Sequence, residues 1–194
     1  MVDVAGAGGE MVERETEPGK RYILVSTGGT IEKTYDALSG LLDNRVSVLD
    51  MMLAQLQLRG GVLSRMQLMN KDSLRMSGED HELIAHTVGE LLETYDGVIV
   101  LHGTDTLEKS GARCEALLDS PSGPVVFTGA MRPYELRSSD ALQNLTEALI
   151  AVQLLTPGVY VVMHNQVLKF PGVYKNREQL CFERQDRSLK PPTS

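Results

Sequence analysis

Two short polar segments place threonine hydroxyls among glycines directly after apolar runs. Thr27 lies in TGGTI, and Thr104 and Asp105 lie in HGTDT. A threonine hydroxyl beside a base is a nucleophile for acyl transfer, and glycine-flanked backbone N–H groups stabilise an oxyanion. A carboxylate such as Asp105 binds a cationic group. These segments therefore predict an acyl-transfer site. The alternative is that Asp105 or Thr106 only caps the following helix.

Two further residues, Tyr35 and Lys175, carry groups that can move protons. Free tyrosine and lysine have pKa values of about 10 and 10.4, so either needs help from its surroundings to act as a base near pH 7. His81 and His86 are poorly spaced for joint metal ligation on one helix face, so we interpret both as surface residues. No Gly-x-Ser-x-Gly motif occurs. We expect neither a metal nor another cofactor.

The polar segments follow strands of a predicted α/β pattern. Predicted strands lie at Arg21–Ser26, Val62–Met69, Val98–Leu101, Val125–Thr128 and Val159–Met163. Helical patterns run through Val46–Leu58, from Ser77 to Tyr95, through Leu107–Leu118 and from Ser139 to Leu155. Such alternation predicts a parallel, Rossmann-like or flavodoxin-like sheet with helices on both faces, in a single domain.

Parallel strands present their carboxyl ends at one edge of the sheet. We therefore expect the loops containing Thr27, Ser73, Thr104 and Ala130 to meet at that edge, and this convergence is stronger evidence for a site than any one loop. The stretch Glu32–Leu42 has no clear period and predicts a mobile loop over the strand end. The tail from Lys169 is charged and less regular, apart from a short strand at Val167–Leu168. We interpret His102 as structural and Arg132 as a link between loops.

Composition narrows the functional classes. The chain has 194 residues, of which 42% are hydrophobic and 23% charged, with a net charge of −7. These values are typical of a globular domain, and the acidic balance argues against nucleic-acid binding. No apolar run approaches the length of about 20 residues that spans a bilayer, and no secretory signal is visible. Two cysteines are too few for a disulfide framework. We expect a cytoplasmic protein with no membrane partner.

The segments TGGTI, HGTDT and GAMRP, each placed after a predicted strand, resemble the L-asparaginase family of threonine amidohydrolases. The similarity to the larger bacterial members runs from about Tyr22 to Lys175. It implies that the small-molecule substrate L-asparagine is converted to L-aspartate and ammonia through an acyl-enzyme intermediate. A broader glutaminase-asparaginase is an alternative, because one methylene changes binding by only about 1–3 kcal/mol. A catalytically silent amino-acid-binding module on the same scaffold is another.

The resemblance implies a role for each matched residue. Thr27 matches the primary nucleophile, and Tyr35 is similar in placement to the tyrosine that hydrogen-bonds to it. Thr104, Asp105 and Lys175 match the family's Thr-Lys-Asp set, in which the aspartate also holds the substrate ammonium. Whether Tyr35 or Lys175 activates a given threonine stays open.

The resemblance also implies two substrate-binding residues. Ser73 resembles the serine that accepts the α-carboxylate, and Ala130 matches the residue whose backbone carbonyl meets the side-chain amide. Leu74 departs from the pattern, because many relatives carry a polar residue at that position.

We expect residues 1–20 to form a disordered tail and residues 21–194 to form one α/β domain like the N-terminal domain of longer relatives. In those relatives a second domain gives an acidic residue and an amide to the neighbouring subunit's site. We expect this chain to lack that domain and to complete its site from its own tail or as a homo-oligomer, a dimer or tetramer. A truncated, weakly active chain is the alternative.

Overall fold

The computed structural model describes residues 19–32, 34–36, 41–43 and 48–185. Most of the predicted amino-terminal tail and the last nine residues lie outside these ranges, so what was expected of them stays a prediction.

The described residues form ten strands. In chain order they are β1 (Arg21–Ser26), β2 (Thr34–Asp36), β3 (Leu41–Asp43), β4 (Val62–Gln67), β5 (Gly97–Leu101), β6 (Pro124–Thr128), β7 (Gly158–Met163), β8 (Gln166–Lys169), β9 (Val173–Asn176) and β10 (Cys181–Arg184). They also form four α-helices, namely α1 (Leu49–Ala54), α2 (Gly78–Leu91), α3 (Leu107–Leu117) and α4 (Ala141–Leu154). None of these helices combines the length and apolar character needed to cross a bilayer.

Six strands make the central sheet, in the order β4-β1-β5-β6-β7-β8. The first five run parallel, and β8 pairs antiparallel with β7. Numbered by their appearance in the chain, the parallel strands have the order 2-1-3-4-5, which is the flavodoxin-like arrangement. The predicted fold class and its five parallel strands are confirmed. The strand order reverses between β1 and β5, and open α/β sheets bind ligands at that point.

The core lies on both faces of the sheet because every residue of β5 is buried and its side chains alternate between faces. Val98 and Val100 pack with α2 and α3, whereas Ile99 and Leu101 pack with α1 and α4. The prediction of helices on both faces is therefore confirmed.

Local signals placed some helix ends well and others poorly. The Ser77 hydroxyl accepts from the Asp80 N–H while the Asp80 carboxylate accepts from the Ser77 N–H, so the predicted start of α2 is confirmed. The predicted helix Val46–Leu58 is too long, because α1 ends at Ala54. Leu58 is exposed and gains no burial that would extend the helix.

Two predicted irregular segments contain short hairpins instead. Within the predicted loop Glu32–Leu42, the backbone of β2 pairs antiparallel with β3. In the predicted irregular tail, β9 pairs antiparallel with β10, and Phe182 of β10 is buried against the core. Strands of three or four residues carry too few side chains to show a clear alternation, so their pairing is decided by neighbouring backbone. The short strand predicted at Val167–Leu168 is confirmed within β8.

Candidate active site

A compact cluster of polar side chains lies at the carboxyl ends of β1 and β5. The Lys175 Nζ donates to Thr104 Oγ1 at 2.8 Å and to Asp105 Oδ1 at 2.8 Å. The Lys175 side chain is only 7% exposed, so this contact is made away from bulk water. The structure thus brings together three predicted site residues, of which Lys175 is 71 residues from Thr104 in sequence.

Lys175 reaches this cluster because β9 is anchored at both its backbone and its hairpin partner. Its N–H donates to Glu108 Oε2 at 2.9 Å, from the first turn of α3. It pairs with Phe182, whose side chain is buried. Sequence reasoning missed Glu108. Its position in the first helical turn after HGTDT, where carboxylates are favoured, was the available signal.

Thr27 follows β1 and is fully buried. Its N–H and its hydroxyl both donate to the Leu101 carbonyl, at 3.0 and 2.9 Å. The next loop residue but one, Gly29, has φ +93°, and a Cβ there would lie 2.5 Å from the Gly103 Cα. Only glycine permits this approach. The loops that carry Thr27 and Thr104 therefore pack directly on each other.

Ser73 joins the same loops from the segment after β4. It is buried, and a Cβ on Gly103 would lie 2.5 Å from its hydroxyl oxygen. Its carbonyl accepts from the Thr106 hydroxyl at 3.0 Å. The neighbouring Leu74 points away, being 67% exposed.

The alternative that Asp105 or Thr106 serves as a helix cap is wrong. Thr106 immediately precedes α3, but no side-chain capping bond is formed there. Its hydroxyl bonds to the Ser73 carbonyl, and Asp105 bonds to Lys175.

The loop after β6 contains Ala130, which is buried. Asp140 holds this loop by accepting from the Met131 N–H at 3.0 Å and the Arg132 N–H at 3.0 Å. Arg132 also donates to the Ser138 carbonyl at 3.3 Å, so its predicted use as a link between loops is confirmed. The Ala130 carbonyl's contact with a substrate amide stays a prediction.

Asp140 is a second residue that sequence reasoning used only as a helix start. Burial raises the pKa of this carboxyl, but hydrogen bonds from the Met131 N–H, His164 and the Arg132 N–H outweigh burial, so the net pKa is lowered. The His164 Nε2 contact is 2.7 Å. Asn144 completes the clamp by donating to Asp140 and to the Gly129 carbonyl.

The two remaining predicted features have different outcomes. Tyr35 lies in β2 by its backbone, but its side chain lies outside the described part of the structure, so its contact with Thr27 stays a prediction. The interpretation of His81 as a surface residue is wrong, because its ring is buried against Ser110. His86 is exposed, as predicted. Within the described ranges, no group of three or more His, Cys, Asp or Glu residues is placed to hold a metal ion.

Comparison with known proteins agrees with this geometry. The family model for the asparaginase N-terminal domain matches residues 21–183. The chain therefore belongs to the asparaginase family. The resemblance drawn from TGGTI, HGTDT and GAMRP is confirmed.

Similar proteins carry two kinds of name. The chain is 31% identical over 150 residues to an L-asparaginase of Thermococcus kodakarensis, covering 76% of this chain and 45% of that protein. It is 36% identical over 143 residues to the D-type subunit of a glutamyl-tRNA(Gln) amidotransferase from Haloquadratum walsbyi, covering 73% of this chain and 32% of that protein. The chain thus spans about a third to a half of these relatives' lengths.

A solved structure shows the same fold. A probable cytoplasmic L-asparaginase of Campylobacter jejuni superposes with a TM-score of 0.69 and 31% identity, over 80% of this chain and 48% of that one.

Proposed function

We propose that this chain is an amidohydrolase that converts L-asparagine to L-aspartate and ammonia, with Thr27 as nucleophile. The observation that carries the proposal is the Lys175–Thr104–Asp105 cluster beside the loop of Thr27. A bare amino-acid-binding site needs a carboxylate and hydrogen-bond donors. It does not need a buried lysine bonded to a second threonine hydroxyl, so the cluster favours chemistry over binding alone.

Substrate binding follows from charge and position. Asp105 lies at the rim with a partly exposed carboxylate, where it would accept the α-ammonium of the amino acid. Ser73, buried against Gly103, and nearby backbone N–H groups would hold the α-carboxylate. The Ala130 carbonyl would accept from the side-chain amide. This orientation places the amide carbon at the loops of Thr27 and Thr104.

The first half-reaction forms an acyl-enzyme. The Thr27 oxygen attacks the amide carbon, and the resulting oxyanion is held by backbone N–H groups near Thr104. The carbon–nitrogen bond then breaks, and the leaving nitrogen takes the proton that Thr27 gave up and departs as ammonia. Because the Thr27 hydroxyl donates to the Leu101 carbonyl, its proton must be transferred to a base as it attacks, and Tyr35 is the candidate from the neighbouring loop.

The second half-reaction reverses these steps with water. Water adds to the ester carbon, the bond to Thr27 breaks, and L-aspartate leaves. The Lys175 contact is with Thr104, which favours proton handling by this pair at the leaving group or at the incoming water. No metal or other cofactor is needed for these steps.

The test is ammonia release from L-asparagine, L-glutamine and D-asparagine, measured side by side. We expect L-asparagine to be preferred and Thr27→Ala to lower turnover by more than about 100-fold. Thr146→Ala is the matched control, because its hydroxyl also donates to a backbone carbonyl, that of Leu142, but lies on α4. Equal loss in both variants would contradict a catalytic role for Thr27.

A second candidate is the amide-hydrolysing component of an amidotransferase. Its support is the 36% identity to a protein named as part of a glutamyl-tRNA(Gln) amidotransferase. In that case L-glutamine would be the ammonia source, and turnover would rise when an amidotransferase partner and its acceptor tRNA are added. Equal turnover of both amides without a partner would indicate a broad glutaminase-asparaginase. Amino-acid binding with no ammonia release would indicate a silent binding module.

We also propose a cytoplasmic homo-oligomer, a dimer or tetramer. The support is the likeness to a structure named as a probable cytoplasmic asparaginase and the resemblance to relatives whose sites are shared between subunits. Measurement of the mass in solution tests this, and a monomer with full activity would contradict it.

A further inference from the structure

A buried chain of three side chains ends on the backbone that carries Thr104. The His81 Nδ1 lies 2.7 Å from the Ser110 hydroxyl, which lies 2.7 Å from the His102 Nε2. The His102 Nδ1 in turn lies 2.8 Å from the Gly103 carbonyl oxygen. Ser110 and His102 are fully buried. The proposed reaction uses none of these three side chains.

The last contact decides where every proton in the chain lies. A carbonyl oxygen only accepts, so the His102 Nδ1 must carry a hydrogen. Burial, the largest influence, lowers the pKa of His102 to about 4, so the ring is neutral at pH 7 and its Nε2 is an acceptor. The Ser110 hydroxyl therefore donates to His102 and accepts from the His81 Nδ1–H. All three bonds run in one direction, towards Gly103.

The backbone at Gly103 is confined on its other sides. A Cβ on Gly103 would lie 2.5 Å from the Ser73 hydroxyl oxygen, and one on Gly129 would lie 2.3 Å from the His102 carbonyl. The His102 N–H donates to the Thr128 carbonyl at 2.9 Å. These contacts fix where the segment lies. The bond from His102 fixes how the peptide between Gly103 and Thr104 is rotated.

That rotation aims the Thr104 N–H. The C=O and N–H of a trans peptide point in opposite directions, so a carbonyl turned towards the buried His102 turns the Thr104 N–H away from it. Thr104 is buried, yet within the described ranges its N–H donates to no backbone acceptor. A buried donor without an acceptor is costly, and a substrate oxygen would satisfy it.

We propose that His102 is a positioning residue that holds the Gly103–Thr104 peptide so that the Thr104 N–H receives the oxyanion. Ser110 and His81 support it by fixing the ring's orientation and tautomer. Hydrogen bonding to the carbonyl also polarises the peptide and strengthens its N–H as a donor. The catalytic part of this inference rests on the proposed amide hydrolysis, whereas the placement of the peptide does not.

Two amide substitutions separate the two ends of the ring. In His102→Asn the amide nitrogen is attached where Nδ1 was, so it can still donate to Gly103 while contact with Ser110 is lost. In His102→Gln the amide reaches towards Ser110 and the bond to Gly103 is lost. His86→Asn is the control, because the His86 side chain is 63% exposed.

We expect His102→Gln to lower kcat by on the order of 10- to 100-fold with KM changed less than about 3-fold, because an oxyanion donor acts in the transition state. His102→Asn should retain kcat within about 5-fold of the parent, and His86→Asn should match the parent. Equal kcat losses in the two His102 variants, or losses that follow only their melting temperatures, would overturn the proposal.

A second readout does not need activity. Nitrogen-15 NMR of the parent should show His102 with a protonated Nδ1 and a bare Nε2. The Thr104 amide resonance should move in His102→Gln and stay near its place in His102→Asn. If the parent releases no ammonia, the proposed function fails while these spectra still decide the peptide's placement. A protonated Nε2 in the parent, or equal movement of the Thr104 amide in both variants, would overturn the placement itself.

Discussion

At the amino-terminal edge of the central sheet lies a groove of about 470 Å³, whereas the carboxyl-terminal edge holds the Lys175–Thr104–Asp105 cluster in tightly packed loops. The groove lies against the start of β1 and β4 and the end of α4, and its lining is mainly apolar, with Leu63, Leu149 and Ile150 among its residues. The larger opening is therefore not where the reactive side chains meet.

The difference follows from chain direction. At the carboxyl edge, each parallel strand ends in a loop that leads to another element, so side chains from distant segments meet there. Thr27 follows β1, Thr104 follows β5, and Ala130 follows β6. At the amino edge, strands are entered from helix ends whose groove-facing side chains, such as Leu149, are apolar. Volume alone would select the wrong edge, and convergence of polar groups selects the right one.

The largest contrast between the edges is expected for two lysines. Lys175→Met should lower ammonia release from L-asparagine by more than about 100-fold, because it removes the cation bonded to Thr104 and Asp105. Lys169→Met, at the amino edge beside Gly158 and over the Tyr160 ring, should keep turnover within about 2-fold. Steady-state kinetics checks both, and similar losses would remove the distinction between the edges.

The edges should also respond to pH in opposite ways. His102 has a pKa of about 4 against an ordinary 6.5, so the unfolded chain binds more protons between these values. Its contribution of about 3 kcal/mol is fully present above about pH 6.5 and is lost as the pH falls towards 4. Urea unfolding at pH 7 and 4.5 should show this loss, and His102→Asn should reduce it.

At the amino edge, burial and the charge of Asp96 raise the pKa of Tyr22. Its contribution to stability is therefore present below about pH 10 and is lost as the pH rises through the folded value. Tyr22→Phe should flatten the alkaline limb without changing the acid limb. An acid limb that survives in His102→Asn would instead point to carboxyl groups such as Asp140, whose lowered pKa acts below about pH 4.

A pair of glycines sharpens the comparison further. Gly29→Ala would bring a Cβ within 2.5 Å of Gly103 at φ +93°, so it should cost about 1–3 kcal/mol of stability and also lower turnover by separating the two loops. Gly61→Ala at φ +138° would approach the Lys20 carbonyl at 2.6 Å and should cost similar stability without loss of turnover. Denaturant unfolding and kinetics on both variants measure the two effects. Loss of turnover in Gly61→Ala would contradict the assignment of edges.

The smallest expected effect concerns Arg177. It contacts Asp105 Oδ1 at 3.3 Å and is 64% exposed, so the pair is worth no more than about 1 kcal/mol. Because a substrate ammonium would compete with it for Asp105, Arg177→Gln should lower KM by up to about 5-fold with little change in kcat. Arg59→Gln, in the amino-edge groove, should leave KM unchanged. A raised KM in Arg177→Gln would mean that the arginine itself holds substrate.

The sequence predicted most of the sheet because buried parallel strands appear as apolar runs. β1 was placed with its exact bounds and β7 within one residue. Helices with a strong period or a capping pair, such as α2, were also predicted. The hairpins β2–β3 and β9–β10 were missed because their pairing depends on contacts between short strands that carry little pattern.

The candidate site divides in the same way. Thr27, Thr104 and Asp105 were found by motif, and Ser73 and Ala130 by resemblance, yet their neighbours were not. Glu108 and Asp140 act by accepting N–H groups from other segments, and no local pattern marks such acceptors. His81 was placed at the surface because its helix position looked exposed, whereas α3 covers it and offers Ser110.

By itself, the sequence determined the strands, the order in which polar loops follow them, and the family, because all three are carried by residues close together in the chain. The tertiary structure alone decided that Lys175 meets Thr104 across 71 residues and that His102 and Ser110 hold the peptide before Thr104. The physical reason is that a hydrogen bond between distant segments exists only once packing has fixed both of them. Hydrophobic periodicity, by contrast, acts within a single element before packing is complete.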